Sequence, residues 1–178
     1  MPALPISFYG RNTRIVARAL LGKYIIRKVG ARKLIGRIVE TEAYFQDDPA
    51  SHAFRGRTER NSPMFEEPGH AYIYFVYGNH YCLNAVTEKA GKAGAVLIRA
   101  IEPLSGMRRP TNGPGKLTKA LKIGKKLNRA DLTKGDLIIA KGKAERYNIV
   151  AAKRIGISKA SNKLLRFYIK GNKYVSKS

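Results

Sequence analysis

Apolar residues recur along this chain at two spacings. Ile15, Val16, Ala19 and Leu20 fall at helical spacing behind Asn12 and Thr13, either of which can cap a helix, and Gly22 can end it. After Gly22 the pattern turns to β-branched runs. KYIIRKV and RKLIGRIVETEAYF, separated by Gly30 and Ala31, predict a hairpin. In the second run Ile38, Glu40, Glu42 and Tyr44 share a face by the strand period of two, so two carboxylates stand beside an aromatic ring. HAYIYFVYGNHYCLNAV predicts another hairpin, turning at Gly78 and Asn79 with positive φ at Gly78 and with Tyr77 at the tip. AGAVLIRAIEPL predicts a central strand with one embedded charge, Arg99, which needs a partner there. TNGPGKLTKALKI reads as a glycine-rich turn entering a short basic helix, GDLIIAKG and LRFYIKG as strands, and KYVSKS as a frayed end. The stretch QDDPASHAFRGRTERNSPMFEEPGH has no period, and a loop of that length in a compact unit points to function. Strands outnumber helices, and hairpin connections predict an α+β fold with a mixed, largely antiparallel sheet and a few helices packed on it.

Charge adds a partner to this picture. The chain of 178 residues carries 35 Lys+Arg against 12 Asp+Glu, a formal net charge of +23, most of it beyond residue 90. Such a basic half usually meets nucleic acid. No apolar run approaches the ~18 residues of a membrane span, so no membrane association is expected. The lone Cys82 fits a reducing compartment, cytoplasm or nucleoid, and the three scattered histidines give no metal-ligand spacing. Residues 1–178 are expected to form a single domain.

Against this cationic background ETEAYFQDD concentrates four acids in nine positions. A carboxylate among cations can act as a general base for a water nucleophile. Glu40 and Glu42 project the same way from one strand, so they cannot flank a scissile bond as an acid and base pair, and one base is expected. Tyr72, Tyr74, Tyr77 and Tyr81 crowd one hairpin; an aromatic at its tip can stack on or wedge between bases. GPGK lacks the spacing of a nucleotide phosphate loop, although Lys116 and its glycines can approach a DNA phosphate. Asp47 and Asp48 read as turn residues before Pro49.

The blocks GRIVETEAY, ASHAFRGRTERN, PGHAYIYFVYGNHYCLN, VLIRAIEPL, NGPGKL, RIGI and LRFY occur in an order that resembles the methylpurine (alkyladenine, 3-methyladenine) DNA glycosylase family over nearly the whole chain. The resemblance implies one α+β domain on a curved sheet with a protruding hairpin. It implies a monofunctional enzyme, without metal or cofactor, that flips alkylated or deaminated purines from double-stranded DNA and hydrolyses the N-glycosidic bond, leaving an abasic site. A monomer is expected. Glu42 is implied as the base that activates water, with Arg99 helping to hold both. Tyr44, His52 and Tyr74 are implied to sandwich the purine, Asn84 to border its 2-position and disfavour guanine, and Tyr77 to fill the gap in the duplex. Arg57, Arg60, His80 and Lys116 are assigned to DNA contact. The chain departs from the usual pattern at Asn79, where a bulkier apolar residue is frequent, and at Glu59, where proline is. The rival reading, a non-enzymatic RNA-binding module, suits the size and charge but gives no role to a glutamate beside clustered aromatics.

Overall fold

The computed structural model describes residues 1–76, 78 and 80–176. Helix α1 (Ile6–Tyr9) and helix α2 (Thr13–Ala19) precede strands β1 (Tyr24–Val29) and β2 (Arg32–Phe45); β3 (Ala71–Val76), β4 (His80–Val86) and β5 (Gly94–Ser105) follow. Helix α3 (Pro114–Ala120) then leads to β6 (Leu137–Ala140), β7 (Ile149–Ala152) and β8 (Arg166–Ile169). The strands form one sheet in the order β3-β4-β5-β2-β1-β6, with β8 joined to β2 and β7, and every described pairing is antiparallel. This is the expected α+β fold, a curled sheet carrying a few helices. The structure also has α1 and β7, four-residue elements that the periodicity did not predict.

Asn12 caps α2 by accepting from the Arg14 amide at 3.0 Å. The buried stripe is Thr13, Val16, Ala17 and Leu20, whereas Ile15 is 52% exposed, so the stripe is rotated from the one expected. The β1–β2 hairpin turns at Gly30 (φ 58°) as predicted. The turn at Asn79 and the tip residue Tyr77 lie outside the described residues, while Gly78 has the expected positive φ (108°).

Strand β2 explains why carboxylates can be buried here. Its first half pairs with β1; at Glu40–Glu42 it is flanked by β5 on one side and β8 on the other. The β2–β5 register shifts between Ile38 and Glu40 and again between Glu40 and Thr41. Such bulges re-aim side chains. Ile38 and Val39 therefore both join the main core, and the face opposite it is Glu40, Glu42 and Tyr44, not the four-residue face expected from a regular strand. The core itself lies between the sheet, α2 and α3, around Val16, Leu20, Ile98, Ile101, Leu117 and Leu121.

The long loop and the C-terminal segment, the latter expected to fray, are both packed. The long loop contains a 3-10 helix (Ser62–Phe65) and contributes Ala53 and Met64 to a second apolar cluster with Tyr72, Val86 and Ala95. Near the C-terminus Tyr174 and Val175 pack on the main core and Ser176 is hydrogen-bonded to Glu40, so the end is docked through residue 176. Sequence polarity concealed this because its anchors are backbone groups and one buried acid.

Candidate active site

A cavity of about 430 Å³ opens over β2–β5, within the size range of small-molecule sites. Tyr44, His52, Tyr74, Asn84 and Arg99 all line it, as do Arg60, His80 and Cys82. The structure thus gathers residues from β2, the long loop, β3, β4 and β5.

Glu42 lies one layer below this floor. It is fully buried, and the groups that touch it, Tyr44, Arg99 and Ile155, are the ones that line the cavity. Its Oε1 accepts from the Ile155 amide at 2.8 Å and lies 3.4 Å from Arg99 Nη1. Its Oε2 accepts from the Tyr44 hydroxyl at 2.8 Å, the one donor to that oxygen among the described residues. An ionised carboxylate offers about four acceptor positions, so Oε2 keeps room for one more donor. Burial pushes the Glu42 carboxyl above the ordinary carboxylate range; Arg99, the Ile155 amide and the Tyr44 hydroxyl pull it down, and Glu40 adds to the rise. Glu42 is buried where β5 and β8 flank β2 on its two sides.

The aromatic walls are neutral. Burial raises the phenols of Tyr44, Tyr72 and Tyr74, Tyr72 to about 12. Burial, with the Arg60 guanidinium nearby, lowers the His52 imidazole. His52 Nδ1 is 2.9 Å from the Tyr72 hydroxyl, and its ring meets Tyr74 edge to face with centroids 4.5 Å apart. A flat ring between two others needs about 7 Å, two van der Waals separations, so no base fits between this pair as they stand. Tyr44 lines the same cavity as this pair. Burial also raises the Cys82 thiol, with Tyr74, its register partner on β3, acting in the opposite sense.

Asn84 is buried on β4 opposite Tyr72, and its Nδ2 donates to the Tyr72 carbonyl at 3.0 Å. That bond fixes which end of the amide is committed to backbone.

The residues assigned to DNA contact divide. Arg60 sits in the cavity wall 5.7 Å from the Tyr74 ring and also lines an adjoining groove with Lys125 and Arg129. Arg57 is 59% exposed, with Glu66 3.9 Å away. Lys116 is exposed on α3 and reaches Asn112 at 3.2 Å. His80 lines the cavity rim, with its ring against Gly115; a Cβ at 115 would lie 2.5 Å from that ring, so the glycine is needed for α3 to approach β4.

Several residues of the site were not foreseen. Arg154 is buried, donates to the Ala43 carbonyl, and forms a two-pronged ion pair with buried Asp48. Its guanidinium stacks on Tyr44 at 4.6 Å from the ring centroid. Asp48 does accept from Ala50 N in a turn, as expected, but its main partner is Arg154, 106 residues away. This pair straps residues 154–157 across the site and brings Ile155 N to Glu42. The block RIGI was the only signal.

This cationic chain, with an aromatic-walled cavity next to a buried carboxylate, matches one family over most of its length. The family model described as Methylpurine-DNA glycosylase (MPG) matches residues 7–173. A protein of Carboxydothermus hydrogenoformans named "Putative 3-methyladenine DNA glycosylase" is 50% identical, covering 98% of each chain. Proteins with that name from Legionella pneumophila (strain Corby), 48% identical over 100% of each chain, and Methanoculleus marisnigri, 45% over 98%, are similar in the same way. The chain belongs to the methylpurine-DNA glycosylase family and is therefore a hydrolase of N-glycosyl bonds acting on DNA. Among the described residues no helix is long and apolar enough to cross a membrane, and no group of three metal-ligating side chains occurs.

Proposed function

We propose that this chain takes a methylated purine out of duplex DNA into the 430 Å³ cavity and hydrolyses its bond to deoxyribose, with Glu42 as the general base. The observation that carries this reading is a fully buried glutamate 3.4 Å from Arg99, whose side chain lines the aromatic-walled cavity. A purine methylated at N3 or N7 bears positive charge. Neutral phenol faces and the neutral His52 accept such a ring without repulsion; of the two arginines in the lining, Arg99 faces Glu40 and Glu42, and Arg60 is the cation the ring must avoid. The cationic base leaves with the electrons of its glycosidic bond and needs no general acid. Water enters at the free acceptor position of Oε2 beside the Tyr44 hydroxyl, its oxygen bonds to C1′, and its proton passes to Glu42. The carboxylate meanwhile offsets positive charge developing on the sugar. The names of the relatives support 3-methyladenine as a substrate. Tyr77 is proposed to fill the gap in the stack, and Asn84 to border the purine 2-position.

Two expectations follow for this chemistry. Because the base must be ionised and burial raises its pKa, activity should rise with pH through an acid limb placed above the ordinary carboxylate range. Single-turnover rates on a 7-methylguanine duplex between about pH 4 and 8 check this; a plateau persisting below the usual carboxylate range contradicts it. Binding should also weaken steeply with salt. Besides Arg60, Lys125 and Arg129, a further groove is lined by Arg32, Arg108, Arg109, Lys119 and Lys122 with no acid in its lining. Roughly 4 to 8 phosphate contacts give a slope of about −4 to −7 in log K against log salt. A salt titration of a fluorescent duplex measures it, and a flat response removes the DNA-facing basic surface.

A further inference from the structure

Arg99 is shared between two carboxylates. Its Nη1 lies 3.4 Å from Glu42 Oε1 and its Nε lies 3.4 Å from Glu40 Oε1. Glu40, like Glu42, is fully buried, yet the hydrolysis proposed above gives it no task. A carboxylate so buried is expensive to keep. It is held from two directions. Arg166, on β8, donates to Oε1 at 3.0 Å, and its Nε donates to the Lys153 carbonyl next to the Arg154–Ile157 strap. Ser176, in the docked C-terminal segment, donates its amide to Oε2 at 2.7 Å and its hydroxyl to Oε1 at 3.0 Å; that hydroxyl in turn accepts from Arg99 Nη2 at 3.5 Å.

We infer that Glu40 is a positioning residue for the reaction: fixed by Arg166 and Ser176, it draws Arg99 partly away from Glu42 Oε1 and so keeps Glu42 the stronger base toward the attacking water. The inference rests on Glu42 being the base. Without the charge on Glu40, two guanidiniums, Arg99 and Arg166, face a single carboxylate. Arg99 then closes on Glu42, both occupying its acceptor positions and making it a poorer base. The remaining groups around Glu42 do not compensate. Tyr44 on its own strand, Tyr74 from β3 and Cys82 from β4 are kept neutral by burial, Ile155 offers only its amide, and Arg166 is Glu42's register partner across β8. Glu40 also raises the Glu42 carboxyl by direct repulsion, in the same sense.

The test compares Glu40→Gln, Ser176→Ala and Glu42→Gln with the unaltered chain in single-turnover release of 7-methylguanine across pH. In Glu40→Gln the rate at pH 7 should fall roughly ten-fold and the acid limb should move to lower pH, while affinity for the lesion duplex stays within about two-fold. Ser176→Ala, which removes one hydroxyl, should move rate and limb in the same directions by less. A loss equal at every pH, with the limb unmoved, would mean a merely structural role and overturns the inference. If Glu40→Gln does not fold, the limb of Ser176→Ala decides alone. Turnover retained in Glu42→Gln removes the base on which the inference rests. An inactive Glu42→Gln beside unmoved limbs in the other two removes the role of Glu40 only.

Discussion

Glu42→Gln should lower base release by roughly 10²- to 10⁴-fold, the range supplied by a positioned general base, while affinity for lesion DNA stays within a few fold. The substitution keeps the shape and can keep the bonds to the Ile155 amide and the Tyr44 hydroxyl, but it cannot take the water's proton. The same change should not destabilise the protein at neutral pH. Burial raises the Glu42 pKa, so the folded state prefers the protonated form; above that pKa the ionised group costs stability, and below it the cost disappears. A neutral amide removes the cost, and Arg99 retains Glu40 as a counterion. The thermal midpoint of Glu42→Gln at pH 7 should therefore equal or exceed that of the parent, with the difference closing in acid. Multiple turnover by this variant would sink the assignment. A large drop in midpoint would show that Glu42 contributes to the fold and not mainly to chemistry.

Asp48→Ala should have the largest effect on stability. It strands the Arg154 guanidinium among buried groups, with the Ala43 carbonyl as a remaining partner. Breaking a buried pair from one side costs about 3 to 5 kcal/mol. Urea midpoints measure the loss. Replacing both members together, Asp48→Leu with Arg154→Met, should recover much of it, since neither variant side chain leaves an unpaired charge. Even so, base release in the double variant should stay impaired, because the stack on Tyr44 and the strap that carries Ile155 to Glu42 are gone. A loss below about 1 kcal/mol in Asp48→Ala would mean that the pair behaves as a surface ion pair.

The sequence was informative where a property is local. Alternation and turn residues placed the two hairpins, the central strand and α3, because strand period and turn chemistry act over a few residues. Aromatic crowding on β3 and β4 and the ETEAY run marked the segments as candidates for chemistry, and the resemblance supplied the pocket and the roles now proposed for Tyr44, His52, Tyr74 and Asn84. What stayed hidden was set by pairings across long separations. Nothing in DDP shows that Asp48 meets Arg154, and nothing in LRFY shows that Arg166 meets Glu40 from a neighbouring strand. Bulges are equally silent. A regular period puts Ile38 with Glu40 and Glu42, whereas the register shifts send Ile38 into the core. The C-terminal segment looked polar enough to fray, and its anchor to Glu40 is partly a backbone amide, which no side-chain pattern can reveal.

The central claim, that this pocket releases methylated purines by hydrolysis, is tested most directly by incubating the purified chain, in the presence of a chelator, with a duplex carrying 3-methyladenine or 7-methylguanine and separating the products by chromatography. The account predicts free methylpurine and an otherwise unbroken duplex bearing abasic sites, with no release by Glu42→Gln. Tight lesion binding without free base, release that stops on chelation, or a strand trapped covalently on the protein by borohydride would each contradict it.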